Sequence, residues 1–208
     1  MWIGLVGSEM CIRDSLSAIV PGVTVAKNEG YKTIISIRGV GNETNQNAIA
    51  APSVAFHMDG VFIASPFALG TDFLDVERIE VLRGPQGTLF GQNSTGGAVN
   101  VISKAPSTDG GSGKLNVTFG DYDLKKVTTS NNFVINDKIA TRLSLASTTR
   151  DGFSKNVVTG QDLDDANSKG FRSDWMFDLN DTSSLRVFGQ YFKVDRNGAA
   201  IRLSLIHI

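Results

Sequence analysis

The sequence predicts a small α+β unit, a mixed sheet with short helices, followed by a series of long antiparallel β-strands. Three observations predict it. Up to about Pro106, short Val- and Ile-rich runs of strand length are bounded by glycine and proline. Beyond about Gly110 the chain changes to longer segments that alternate apolar and polar residues with a period of two. No run approaches the roughly 18 apolar residues of a membrane-spanning helix, which excludes a helical membrane protein and leaves a β-barrel open.

The termini have a different character. Residues 1 to 15 show neither strand alternation nor the basic flank, apolar run and small-residue site of a signal peptide. GLVGSEMCIRDS resembles the in-frame translation of a transposase sequencing adaptor, and Leu203 to Ile208 (LSLIHI) resembles the reverse complement of the same adaptor's end. Residues 1–15 and 203–208 are therefore expected to be adaptor-derived, and residues 16–202 to be a piece of a longer reading frame. Setting Glu9, Arg13 and Asp14 aside from the 20 basic and 21 acidic residues leaves 19 of each. Such a balance has no electrostatic footprint for nucleic acid. The single Cys, Cys11, and one of the two histidines, His207, fall in the adaptor segments. His57 then stands alone, which removes cysteine chemistry and paired-His metal sites from consideration.

In order, TIISIRG, PSVAFHMDGVFIA, DVERIEVLRG and GGAVNVISK read as strands of the first unit. Pro85, directly after Gly84, suits the first turn of a short helix, and the glycines from Gly87 to Gly97 suit a compact loop. In KLNVTFG, Leu115, Val117 and Phe119 share one face, opposite Lys114, Asn116 and Thr118. Leu124 to Val134 is a weaker member of the series. KIATRLSLAST sets Ile139, Thr141, Leu143 and Leu145 against Lys138, Ala140, Arg142 and Ser144. FRSDWMFDL sets Phe171, Trp175, Phe177 and Leu179 against Arg172, Asp174 and Asp178, and SLRVFGQYF sets Leu185, Val187 and Tyr191 against Arg186 and Gln190. Asn136-Asp137 and Asn180 to Ser183 are short turn-formers, whereas Asp151 to Ser168 reads as a long polar loop. Short connections at one end and long ones at the other fit an outer-membrane barrel, and the same alternation also fits a soluble β-sandwich.

Several clusters invite chemical readings. Asp75, Glu77, Arg78 and Glu80 lie on a strand whose other members are apolar; a carboxylate pair for hydrolysis is one reading, and an outward salt-bridged face is favoured by the alternation. His57 and Asp59 are two apart, a spacing compatible with a weak metal or base–orienter pair. The loop Gly84 to Gly97 lacks the Gly-Lys-Ser/Thr of a phosphate cradle. Asp162, Asp164, Asp165 and Asn167 suggest calcium, yet the EF-hand glycine and terminal glutamate are missing at their offsets, so a solvated acidic loop is expected. No catalytic or metal-binding residue is assigned, and no enzyme activity or cofactor is expected.

Taken together, LSAIVPGVTV, ISIRGVG, VAFHMDGVFI and FLDVERIEVLRGPQGTLFGQNSTGGAVNVISKAP resemble, in order and spacing, the plug domain of TonB-dependent outer-membrane receptors. The resemblance implies an N-terminally truncated plug over residues 16–106 and the first strands, about five, of an incomplete transmembrane β-barrel over residues 107–202. It implies active uptake of a bulky ligand across the Gram-negative outer membrane, most often an iron-siderophore complex, so that any iron belongs to the ligand. TonB is the implied partner, through an N-terminal box absent from this sequence, together with the ligand and outer-membrane lipid. Arg38 in IRG and Arg83 in LRGP match plug arginines that, in relatives, pair with glutamates of the barrel wall. A forked guanidinium suits such bidentate pairing. The plug apices that meet ligand would here include Gly41, Asn42, Asn45, Gln46, Ser65 and Phe67. The alternative from a different class is a soluble β-rich module that binds carbohydrate or protein.

Overall fold

The computed structural model describes residues 4–5, 17, 20–28, 32–41, 52–64, 73–180 and 182–198. These divide into two compact units, one of residues 1–28 and 32–104 and one of residues 29–31 and 105–208.

The first unit contains β1 (Gly4–Leu5), β2 (Val23–Asn28), β3 (Lys32–Ile37), β4 (Val54–Met58), β5 (Val61–Phe62), β6 (Val76–Arg83) and β7 (Gly97–Ser103). Five of them form one mixed sheet in the order β1-β6-β7-β4-β5, in which only the β4–β7 pair is parallel. The β2–β3 hairpin stands as a separate two-stranded sheet. Val20, Val23, Ile37, Val54, Phe56, Ile79, Val81, Val99 and Val101 make the core, with Phe73 stacked on Phe56 at 5.8 Å. Burying each such side chain stabilises the unit by about 1.5–3 kcal/mol. Helix is scarcer than the sequence suggests: besides Ser17, the described residues are helical only over the single turn Gly87–Phe90. Pro85 lies before its cap, Gln86, and Gly91 ends the turn at φ 73°, a backbone glycine adopts without strain. β1 falls in the segment expected to be adaptor-derived; it contributes two backbone pairs to the edge of β6, which any extended peptide can make.

The second unit is a meander of β8 (Ser112–Gly120), β9 (Leu124–Asn136), β10 (Ile139–Arg150), β13 (Ala166–Asn180) and β14 (Ser183–Val194), with the small hairpin β11 (Ser154–Lys155) and β12 (Asp162–Leu163) between β10 and β13. The weak segment from Leu124 becomes a full strand of 13 residues. The expected polar loop 151–168 is shorter than predicted, because it folds a hairpin and gives its last residues to β13. Side-chain amides make the short turns: Asn136 Oδ1 accepts from the Lys138 N–H at 2.9 Å, and Asn180 Oδ1 from that of Thr182 at 3.0 Å. At the other end, Tyr122 and Asp123 both take positive φ, the geometry of a primed hairpin turn.

Register assigns the faces. Leu115, Thr129, Leu145, Phe171 and Tyr191 form one cross-strand row, and Lys114, Ser130, Ser144, Arg172 and Gln190 form a row on the opposite face. The apolar row is the exposed one: Leu115 is 66%, Leu145 50%, Phe171 42% and Tyr191 63% accessible. The polar face holds the buried residues Arg142, Ser144, Arg172 and Asp174. A water-soluble sheet has the opposite distribution.

Candidate functional site

The two arginines singled out from sequence come to one region of the first unit. Ile37 and Val40 close a two-residue turn by reciprocal backbone hydrogen bonds of 2.9 and 3.0 Å, with Arg38 at φ 55° and Gly39 at φ 77°. The Arg38 N–H donates to the Gly22 carbonyl at 2.6 Å, and its side chain is exposed. A left-handed arginine is strained by about 1–2 kcal/mol relative to glycine. Arg83 ends β6 opposite Gly97. That glycine, at φ 140°, is where the two features meet: a Cβ there would collide with the Leu82 carbonyl and stand 2.8 Å from Ile37 Cδ1, next to Arg38. Val40 in turn covers Gly96, where a Cβ would stand 2.8 Å from its Cγ1. Neither Arg38 nor Arg83 has an acidic partner among the described residues.

Of the expected ligand apices, Gly41 is half-buried and lets the chain pass close to β3, since a Cβ there would stand 2.5 Å from Ser36 Cβ. Asn42, Asn45, Gln46, Ser65 and Phe67 lie outside the described residues.

The charged strand departs from the outward face expected for it. A register shift between Val76 and Arg78 breaks the alternation, and Glu80 is buried. Its carboxylate accepts from Arg78 Nε at 2.9 Å and from Asn100 Nδ2 at 3.2 Å on the neighbouring strand, while Arg78 Nη1 donates to Glu77 at 2.9 Å. Both carboxylates are therefore held by one guanidinium, which offsets part of their charge. Asp75 is also buried. His57 and Asp59 do not act together. Asp59 sits in the following turn at φ 49°, and its carboxylate accepts from the Ser103 N–H and Oγ at 2.8 and 3.0 Å. His57 packs edge-on against Phe90 at 5.0 Å and beside Phe62 at 5.5 Å, and this burial lowers its pKa below the usual 6.5.

In the second unit, Asp162, Asp165 and Asn167 help to line an open pocket of about 300 Å³ with Asp123, Asp151 and Arg150. Asp165 Oδ1 accepts from the Asn197 N–H at 2.6 Å, and Asp162 lies 3.9 Å from Lys155 Nζ. Among the described residues no group of three or more acidic, His or Cys side chains is arranged to hold a metal ion.

Sequence reasoning placed Arg172, Asp174, Arg186 and Gln190 on polar faces and did not foresee their convergence. Asp174, 1% accessible, accepts from Arg172 Nη2 at 2.9 Å on its own strand and from Arg186 Nε and Nη2 at 3.0 and 2.6 Å across the β13–β14 ladder. Arg172 also donates to Gln190 at 3.1 Å and lies 4.4 Å over the Phe188 ring. Arg142 is opposite Asp174 on the other side. The alternation predicts the face, but the strand offset that brings these groups together follows only from the register.

Residues 10–98 match the TonB-dependent Receptor Plug Domain family model. The chain is 34% identical to the pesticin receptor of Yersinia pestis over 97 residues, 46% of this chain and 14% of that protein. It is 27% identical over 158 residues to the vitamin B12 transporter BtuB of Vibrio cholerae, covering 74% of this chain and 24% of the transporter. The fold matches the crystal structure of the ferric yersiniabactin uptake receptor FyuA from Yersinia pestis with a TM-score of 0.80 at 23% identity, over 92% of this chain and 31% of that one. The chain thus spans between about a seventh and a third of the length of these relatives. Over residues 10–98 the chain is similar to the plug domain of TonB-dependent receptors, and its fold, the meander included, is shared with the ferric yersiniabactin uptake receptor.

Proposed function

We propose that the chain is part of a Gram-negative outer-membrane receptor that takes up a bulky ligand, a ferric siderophore, at the expense of energy delivered by TonB. The observation that carries the membrane part is the inverted sheet: apolar side chains exposed on one face, buried Arg172 and Asp174 on the other. That distribution suits strands with lipid on one side and a polar lumen on the other. It argues against the soluble binding module, which would have to leave its widest apolar face in water. Strands of 12 to 15 residues, as in β10, β13 and β14, exceed the roughly 9–11 that a tilted strand needs to cross a bilayer.

The first unit is the plug of that receptor, and residues 107–202 are the beginning of its barrel. Arg38 and Arg83 anchor the plug by pairing with carboxylates of the wall, and Gly41, Asn42, Asn45, Gln46, Ser65 and Phe67 contact the ligand. Support for the ligand class comes from relatives: one is named for ferric yersiniabactin uptake and another for vitamin B12 transport. An outer membrane has no nucleotide supply or proton gradient of its own, so uphill uptake needs a partner that spans from the inner membrane.

The test is uptake by the full-length chain in a Gram-negative host lacking its own ferric receptors, under iron limitation, with iron-55 loaded onto catecholate, hydroxamate and thiazoline siderophores and with labelled cobalamin. Accumulation of one iron complex that disappears in a host without TonB is expected. Accumulation that persists without TonB, or recovery of the full-length chain in the soluble fraction, would overturn the proposal.

A further inference from the structure

At the end of the second sheet that carries the longer connection, the apolar face gives way to two adjacent lysines. Lys169 on β13 and Lys193 on β14 are direct cross-strand partners, both exposed, and neither has an acidic partner among the described residues. Like charges directly opposite in a ladder destabilise it, so this placement is unfavourable until an anion meets it. Ser147 follows Lys169 in the same row and adds a hydroxyl donor. Two residues along each strand, about 6.7 Å away, the surface is apolar: Leu145, Phe171 and Tyr191 form one exposed row. Cations bordering an apolar row match an amphiphile with an anionic head. A free anion would use the lysines and leave the apolar row idle.

We infer that this surface seats a phosphorylated lipid of the outer leaflet, its phosphate between Lys169 and Lys193 and its acyl chains along Leu145, Phe171 and Tyr191. The inference rests on the barrel reading above: the longer connections of outer-membrane barrels face the cell exterior, so the lysine row lies in the outer leaflet. The apolar stretch from Phe171 to Leu179 supports the depth: about 27 Å along the strand is roughly 20 Å of height at a tilt near 40°, close to the ~25 Å apolar band of such barrels.

The experiment uses the full-length chain folded into detergent micelles and titrated with diphosphoryl lipid A, dephosphorylated lipid A, phosphatidylglycerol and inorganic phosphate, with bound lipid counted by native mass spectrometry. Diphosphoryl lipid A is expected to bind best, and Lys169→Gln with Lys193→Gln to weaken it about 30-fold, from the neutralisation of two lysines at a lipid surface. Lys169→Arg with Lys193→Arg, which keeps the charge, should retain binding. Heat-modifiable migration in gels reports whether each variant has folded. Equal binding of phosphatidylglycerol, full competition by inorganic phosphate, or an unchanged affinity in the glutamine variant would each overturn the inference while leaving the barrel reading intact. Failure of the unaltered chain to enter micelles or vesicles as a folded species would overturn both.

Discussion

Arg38 occupies a backbone conformation that glycine would hold more comfortably, at φ 55° beside Gly39 at φ 77°. Strain of this kind persists where the side chain has work that glycine cannot do. Arg38→Gly is accordingly expected to raise the resistance of the full-length chain to urea by about 1 kcal/mol and, if the arginine anchors the plug, to increase passive leakage of small antibiotics through the receptor. A variant that is stabilised without added leakage would reduce Arg38 to a turn residue. His57 gives a second test at the same scale. Burial against Phe62 and Phe90 lowers its pKa, so the folded state prefers the neutral ring. Its contribution is fully present above the unfolded value near 6.5 and is lost as the pH falls below that value toward the folded pKa. The urea midpoint of plug unfolding should therefore drop between pH 7.5 and 5.5, and His57→Phe should flatten that dependence; an identical slope in the variant would assign it to other groups. The sequence made Arg38 conspicuous only through resemblance. Its strain and its proximity to Gly97 depend on a contact between segments about sixty residues apart, which no local pattern encodes.

At the scale of single elements, what was legible was what repeats every two residues. The faces of β8, β10, β13 and β14 follow from alternation alone, because each strand has one apolar side and the pleat does the rest. Three features did not follow. The shift between Val76 and Arg78 turns Glu80 inward, where Asn100 receives it, and such irregularities carry no alternating signal. The β11–β12 hairpin is only two residues on each side, below the length at which periodicity is readable. The cluster around Asp174 depends on register, since Arg186 is 12 residues away in sequence and reaches it across the ladder. Asp174→Asn should destabilise the sheet by about 3–5 kcal/mol, because two buried or half-buried guanidinium groups lose their counter-charge. On the opposite face, Val187 is exposed and lies in register with Trp175 near the middle of the apolar stretch. If that face meets lipid, Val187→Arg should lower the folding free energy in vesicles by about 2–4 kcal/mol, and Val187→Leu should leave it nearly unchanged. Equal tolerance of both substitutions would mean that the face is not in lipid.

For the molecule as a whole, the most consequential fact is that the second sheet has two open sides among the described residues. Its order runs β14-β13-β10-β9-β8, so among the described residues β8 and β14 each have one neighbour and a row of unpaired backbone groups. An open edge is tolerable in water but not in hydrocarbon, where every unpaired N–H and C=O is unfavourable by several kcal/mol. If the exposed apolar face meets lipid, face and edges make opposite demands, because lipid forbids the edges. Both are met only when further strands close the sheet. The relatives, of which this chain spans 14–31%, have the length to supply them. The 208-residue chain refolded alone in detergent is accordingly expected to pair edge to edge into a distribution of oligomers, with no heat-modifiable monomer on gels, whereas the full-length chain should run as one monomeric, heat-modifiable species. Size-exclusion chromatography with light scattering distinguishes the two. A single monodisperse monomer from the 208 residues would mean that β8 and β14 are satisfied within this chain, and the reading of the meander as one arc of a larger barrel would fall with it.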